Sequence, residues 1–215
     1  MFLQVRTEIQ ISKERKDNSL GNTPIRYDKE NTKNPIARIL YKHFKQSILE
    51  LIPRSSMCHA LEIGCGCGEI LNYIKSEISM KYIGVDINEK IIKEAKSNYS
   101  GIDFYVADGS DLPFEDSSFD IVLLLEVLEH IPNVEDMINE VKRVSKHYSI
   151  FSVPREPLWR FLNVMRFSHL KNFGNTPGHI NHWNSRNFKR LLSKHFETIE
   201  IAKPMPWTII LCKKK

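Results

Sequence analysis

Residues 60–70 read ALEIGCGCGEI, which sets Glu62, Gly64, Gly66 and Gly68 on alternate positions behind an apolar run. Glycine lets a strand turn sharply into a helix through positive φ, and it leaves the main chain bare where a ligand must come close. The N–H groups at the start of the helix then face that ligand. A dinucleotide loop would need a third glycine where this chain has Glu69, which argues against a pyrophosphate site. Asp86 follows about twenty residues on, the spacing at which a carboxylate accepts hydrogen bonds from ribose hydroxyls. Asp108 can accept from an adenine amino group, with the Gly109 N–H opposite a ring nitrogen. Together these residues point to a nucleoside ligand.

A second group lies in LEVLEHIP, residues 125–132. Glu126, Glu129 and His130 form E-x-x-E-H, and on one helical turn Glu126 and His130 are i, i+4 neighbours. Three readings stay open. Glu126 lines the pocket while His130 caps or packs the turn. His130 is a general base, since an unperturbed imidazole titrates near neutral pH. Or Glu126, Glu129 and His130 hold a divalent cation, with His179 or His182 from GHINHW as an additional ligand. A metal is weighed here and not preferred. Cys65 and Cys67 lack a second ligand pair and are not read as a zinc site.

These residues need a scaffold that gathers them. Apolar runs at 60–63, 81–86, 102–106, 119–125 and 148–153 read as strands. Helical patterns at 69–78, 89–99 and 134–144 alternate with them, and a further helix from Pro35 ends before Pro53. Such alternation predicts a parallel sheet with helices on both faces. Ligands then bind beyond the carboxyl ends of the strands, where Gly64, Asp86, Asp108, Glu126 and Arg155 fall. A helix at 187–195 and two strands at 198–202 and 208–212 predict a terminal hairpin with an antiparallel strand. Residues 154–183 interrupt this rhythm. Their helix leaves only a narrow polar stripe at Arg160, Asn163 and Arg166. Packing on the sheet as core is the expectation; a lid over a greasy acceptor, or contact with a membrane surface, is the alternative. Arg155 and Trp159, with His179 and His182, are candidate substrate residues.

The chain has 215 residues, 41% hydrophobic and 27% charged, with a formal net charge of +5. This suits one domain, 34–215, behind a polar arm, 1–33. The basic residues are scattered, so no nucleic-acid groove is expected. Charges interrupt the N-terminus too soon for a signal peptide, and no run of roughly 18 apolar residues occurs. Four cysteines make no disulfide framework in a chain of this length. A cytoplasmic protein is expected.

LEIGCGCGEI, YIGVDIN, VADGSDLPFEDSSFDIVLLLEVLEHIPN and SIFSVP, in that order, resemble the successive signatures of the class I S-adenosylmethionine-dependent methyltransferases. The likeness spans roughly 58–153 and is nearest the small ubiquinone and menaquinone methyltransferase type. It implies a Rossmann-like α/β fold with a seven-stranded mixed sheet, helices on both faces and the last strand antiparallel. It implies S-adenosyl-L-methionine as cofactor. Glu62 and the glycine loop would hold the methionine part, Asp86 the ribose, and Asp108 with Gly109 the adenine, with Ile87 and Leu112 on the adenine faces. Methyl transfer to a small or lipid-like acceptor, at oxygen, is the expectation. E-x-x-E-H also resembles metal-dependent RNA 2′-O-methyltransferases, which stay as an alternative. A nicotinamide-dependent oxidoreductase and a non-catalytic donor-binding module are the others.

Overall fold

The structure is a computed structural model that describes residues 34–54 and 57–215. The expected arm, 1–33, lies outside the described residues. Helix α1 (Pro35–Leu51) is started by Asn34, whose side chain accepts from the N–H groups of Ile36 and Ala37. Proline at its first position has no N–H to lose there. Then follow β1 (His59–Ile63), α2 (Glu69–Glu77), β2 (Lys81–Asp86), α3 (Glu89–Asn98), β3 (Asp103–Val106) and β4 (Phe119–Leu125). The second half runs α4 (Val134–Val144), β5 (Ser145–Pro154), α5 (Leu158–Met165), α6 (Ser185–Leu192), β6 (Phe196–Ala202) and β7 (Trp207–Lys214).

The sheet has seven strands in the order β3-β2-β1-β4-β5-β7-β6. All neighbouring pairs are parallel except those made by β7, which lies antiparallel between β5 and β6. Every residue of β4 is buried, as expected of a central strand covered on both faces. Alternate side chains feed two cores. Ile121, Leu123 and Leu125 join Phe44 and Ile48 of α1, Leu71 and Ile74 of α2, and Ile92 of α3. Val122 and Leu124 join Met137, Ile138 and Val141 of α4 and Phe188 and Leu192 of α6. The strand order reverses between β1 and β4, and that switch point opens the crevice where ligands bind.

Two expectations change. The helix read at 187–195 is Ser185–Leu192, because Asn184 caps it by accepting from the Asn187 N–H. The apolar helix α5 reaches the core only through its inner side, where Trp159 packs against it. Asn163 is its one buried residue, while Phe161, Val164 and Met165 are exposed. Of the polar stripe Asn163 is turned inward, because the loop behind it offers hydrogen-bond partners, while Arg166 stays exposed. Asn163 Nδ2 donates to the Gly174 carbonyl at 2.8 Å and to Thr176 Oγ1 at 3.3 Å.

Candidate active site

The three glycines after β1 all have positive φ, yet each is glycine for its own reason. A Cβ on Gly64 would collide with Val127 Cγ2, and one on Gly68 would meet Phe104 Cζ at 2.5 Å. At Gly66 a Cβ would have nothing within 4 Å, so this is the open side of the loop. Its N–H donates to Asp86 Oδ2 at 3.1 Å, and Asp86 Oδ1 accepts from the Asn88 N–H at 2.9 Å. Asp86 thus clamps the loop, and each oxygen keeps a second lone pair for a ligand hydroxyl. Tyr41 donates to Glu69 Oε2 at 3.2 Å, which ties α1 to the helix that follows the loop.

Behind the loop, Glu62 is buried, and its Oε2 has no hydrogen-bond partner among the described residues. Burial, then the neighbouring Asp86 and Glu69 charges, holds its carboxyl well above the ordinary value, offset in part by the Leu71 N–H. A buried carboxylate in that state calls for a cation. S-adenosylmethionine brings a sulfonium and an ammonium, and a bare main chain at Gly66 gives it room; these residues fit it. Burial, then Glu62, also pushes the Cys65 thiol well up, so it is no thiolate.

On the adenine side the loop after β3 is pinned by Arg143, which donates to the carbonyls of Leu112 and Phe114. Asp108 is exposed, and its Oδ1 already accepts from the Ser110 N–H and hydroxyl. Gly109 is glycine because a Cβ would meet Ile63 Cγ2 at 2.6 Å. Ile87 is 61% exposed, open to a flat ligand, whereas the Leu112 side chain belongs to the core under α4.

E-x-x-E-H is not one helical turn. Glu126 has φ 58, and a short 3-10 turn starts only at Leu128. Glu126 is therefore carried away from His130. Its Oε1 accepts from Ser152 Oγ at 2.9 Å and its Oε2 from Trp207 Nε1 at 2.6 Å. Of the residues weighed for a cation, Glu126 stands apart, and the groups that converge are Glu129, His130 and His179, with one ligand atom from each within 4.8 Å of the others. The loop carrying His179 is fastened there by backbone, since the Ile180 and Asn181 N–H groups both donate to the Glu129 carbonyl. Asn181 Nδ2 adds bonds to the carbonyls of Leu128 and Ile131. His130 Nδ1 lies 3.0 Å from the Gly178 carbonyl. A carbonyl only accepts, so Nδ1 carries a proton.

His182 does not join this cluster. Its Nε2 accepts from Arg160 at 2.8 Å, and its Nδ1 lies 3.6 Å from Glu156. Burial, then Arg160, lowers its pKa. Trp159 does reach the cluster: it stacks on His179 at 6.0 Å and 27°, with its Nε1 donating to Thr176. The Arg155 backbone is held between the Pro206 carbonyl and a bridge to Trp183, at the base of the segment 154–183. Sequence reasoning missed Trp207. It lies 6.0 Å from Trp159, 4.7 Å from Phe44, and bonds Glu126. Only its place after Met205-Pro206, near the end of the chain, marked it, and nothing there signals a distant carboxylate.

Residues 61–153 match the family profile described as a methyltransferase domain. The chain is 36% identical over 105 residues to a sterol 4-C-methyltransferase of Caenorhabditis elegans, covering 46% of this chain and 31% of that one. It is 37% identical over 87 residues to the phthiotriol/phenolphthiotriol dimycocerosates methyltransferase of Mycobacterium tuberculosis, covering 39% and 32%. The chain spans about half the length or less of the curated relatives it matches. A magnesium protoporphyrin IX methyltransferase from Synechocystis, solved with S-adenosylhomocysteine bound, superposes with a TM-score of 0.65 at 19% identity, over 86% of this chain and 89% of that one. The strand order and the glycine loop agree with that match: residues 61–153 are similar to a methyltransferase domain, and the chain has the fold of the S-adenosylhomocysteine-bound Synechocystis enzyme.

Proposed function

We propose that this protein transfers a methyl group from S-adenosylmethionine to a hydroxyl of a lipid-like acceptor. One observation carries the donor half: the partnerless Oε2 of buried Glu62 behind the open main chain of Gly66. Glu62 and the glycine loop would hold the methionine part, Asp86 the ribose, and the loop of Asp108 and Gly109 the adenine, with Ile87 against the ring. When bound, the sulfonium supplies an electrophilic methyl. The chain's own task is then to hold the acceptor in line and exclude water. Trp159 and Trp207 would wall the acceptor side, and His130 would take the proton of a hydroxyl. The lipid-like acceptor is supported by two relatives whose names give a sterol and mycocerosate esters as substrates.

A second reading has its own observation. Glu129, His130 and His179 offer one carboxylate and two imidazoles, a donor set that suits a borderline divalent cation. His130 donates its other ring N–H to a carbonyl, as metal-bound histidines commonly do. Such a cation would lower the pKa of an acceptor hydroxyl.

The test is to incubate the purified chain with methyl-labelled donor and, in separate arms, a lipid extract and total RNA, then identify the labelled product by mass spectrometry. Label on a lipid oxygen supports the reading. Donor binding without any labelled product leaves a binding module, and label on RNA alone moves the acceptor to nucleic acid.

A further inference from the structure

The segment after β5 shows an inside-out amphipathic pattern. Its polar residue Asn163 is buried and Trp159 is turned inward, while most of its other large apolar residues face solvent. Phe161 and Met165 of α5 are exposed, and beyond the helix Phe167 is 83% and Phe173 84% exposed, with Leu170 between them half exposed. Phe167 and Phe173 have φ of 55 and 49, a conformation bulky residues rarely adopt. So many apolar side chains on one short segment mark an interaction face.

The charge on this stretch selects the partner. Between Glu156 and Glu197 the chain has no acidic residue; Arg160 is turned to Glu156 and His182, and Arg166 falls within the apolar stretch. Arg166 is exposed. An apolar face accompanied only by cations complements a bilayer surface with anionic headgroups. No helix among the described residues is long and apolar enough to cross a membrane, so the contact is with the surface. The inner side of the same segment carries Trp159 and His179, so the outer face covers the candidate acceptor site.

We propose that Phe161, Met165, Phe167 and Phe173, with Arg166, form a face that docks this protein on anionic lipid membranes. Docking does not require methyl transfer and stands or falls apart from the proposed reaction. The test is co-sedimentation of the full chain with vesicles of phosphatidylcholine alone or mixed with phosphatidylglycerol. The expected result is about tenfold or greater partitioning onto the mixed vesicles, reduced by added salt. The triple variant Phe161→Ser, Phe167→Asn, Phe173→Asn should lose about tenfold or more of that binding. These side chains are exposed, and asparagine tolerates positive φ, so its melting temperature should match the wild type. Equal binding to both vesicle types, or no binding to either, overturns the proposal. So does a wild-type dimer that the triple variant disrupts while vesicles stay unbound; the face would then seat a second copy.

Discussion

Glutamine at position 62 should move stability and donor binding in opposite directions. Glu62 is 3% exposed, its Oε2 has no partner among the described residues, and its carboxyl is held well above 4.5. Below 4.5 both the folded and the unfolded chain keep the proton, and Glu62→Gln changes little. As pH rises, the unfolded chain releases its proton first, so the wild type loses stability progressively until the raised folded value is passed. Glutamine removes that loss. Near neutral pH the unliganded variant should therefore be the more stable, because its amide carries no proton linkage. For a chain of this size each 1 kcal/mol gained reads as about 2–4 °C in Tm. Binding goes the other way. Losing a hydrogen bond to a charged group costs about 1.5–3 kcal/mol, which weakens donor affinity by about 10- to 150-fold. Scanning calorimetry across pH measures the first effect, and titration with S-adenosylmethionine and S-adenosylhomocysteine the second. A variant less stable than the wild type near neutral pH, or one with unchanged donor affinity, refutes the reasoning.

Asp86→Ala removes both the clamp on the Gly66 N–H and the acceptor for ribose, and should weaken donor binding by about 1.5–3 kcal/mol by titration calorimetry. Gly68→Ala forces a Cβ against Phe104 at a φ of 85, and should destabilise the fold by about 2–4 kcal/mol in urea unfolding. His130→Ala should remove the acidic limb of the pH–rate profile under the base reading. Under the metal reading, chelator should abolish turnover in the wild type, and metal analysis should find bound cation in the wild type but not in Glu129→Ala. Asn163→Leu leaves the Gly174 carbonyl without its donor, costs about 1–3 kcal/mol locally, and should speed proteolysis within 154–183.

Much of the donor half was legible in the sequence because its determinants are local. A strand followed by glycines and a helix can only turn one way, and the acid at the end of the next strand lands beside that turn. The bounds of β4 and α4 read from the apolar pattern are those observed. Less of the acceptor half was legible. Glu126 is one residue past β4, and its positive φ breaks the turn that E-x-x-E-H suggests. Spacing gave the residue types but not that conformation. The pattern in α5 showed which residues share a face, but not that the polar face would find its partners inward, because those partners, Gly174 and Thr176, belong to a loop without periodicity.

The two halves therefore differ in what holds them. The donor loop depends on neighbouring βα turns and on the packing of Val127 and Phe104 where side chains on Gly64 and Gly68 would stand. The acceptor side is tied together by contacts far apart in sequence: Glu126 with Trp207, 81 positions on, and His130 with Gly178, 48 positions on. Substitutions on the inner side of 154–183 would reshape the proposed acceptor wall without touching the glycine loop, since the segment is tied to the turn at Leu128–Ile131 by hydrogen bonds and to the core by a row of tilted rings from Trp159 through Trp207 to Phe44. Under the proposed function, such a division would let one donor site serve acceptors of different shape, with selectivity set by a segment whose outer face is apolar and whose inner face is hydrogen-bonded.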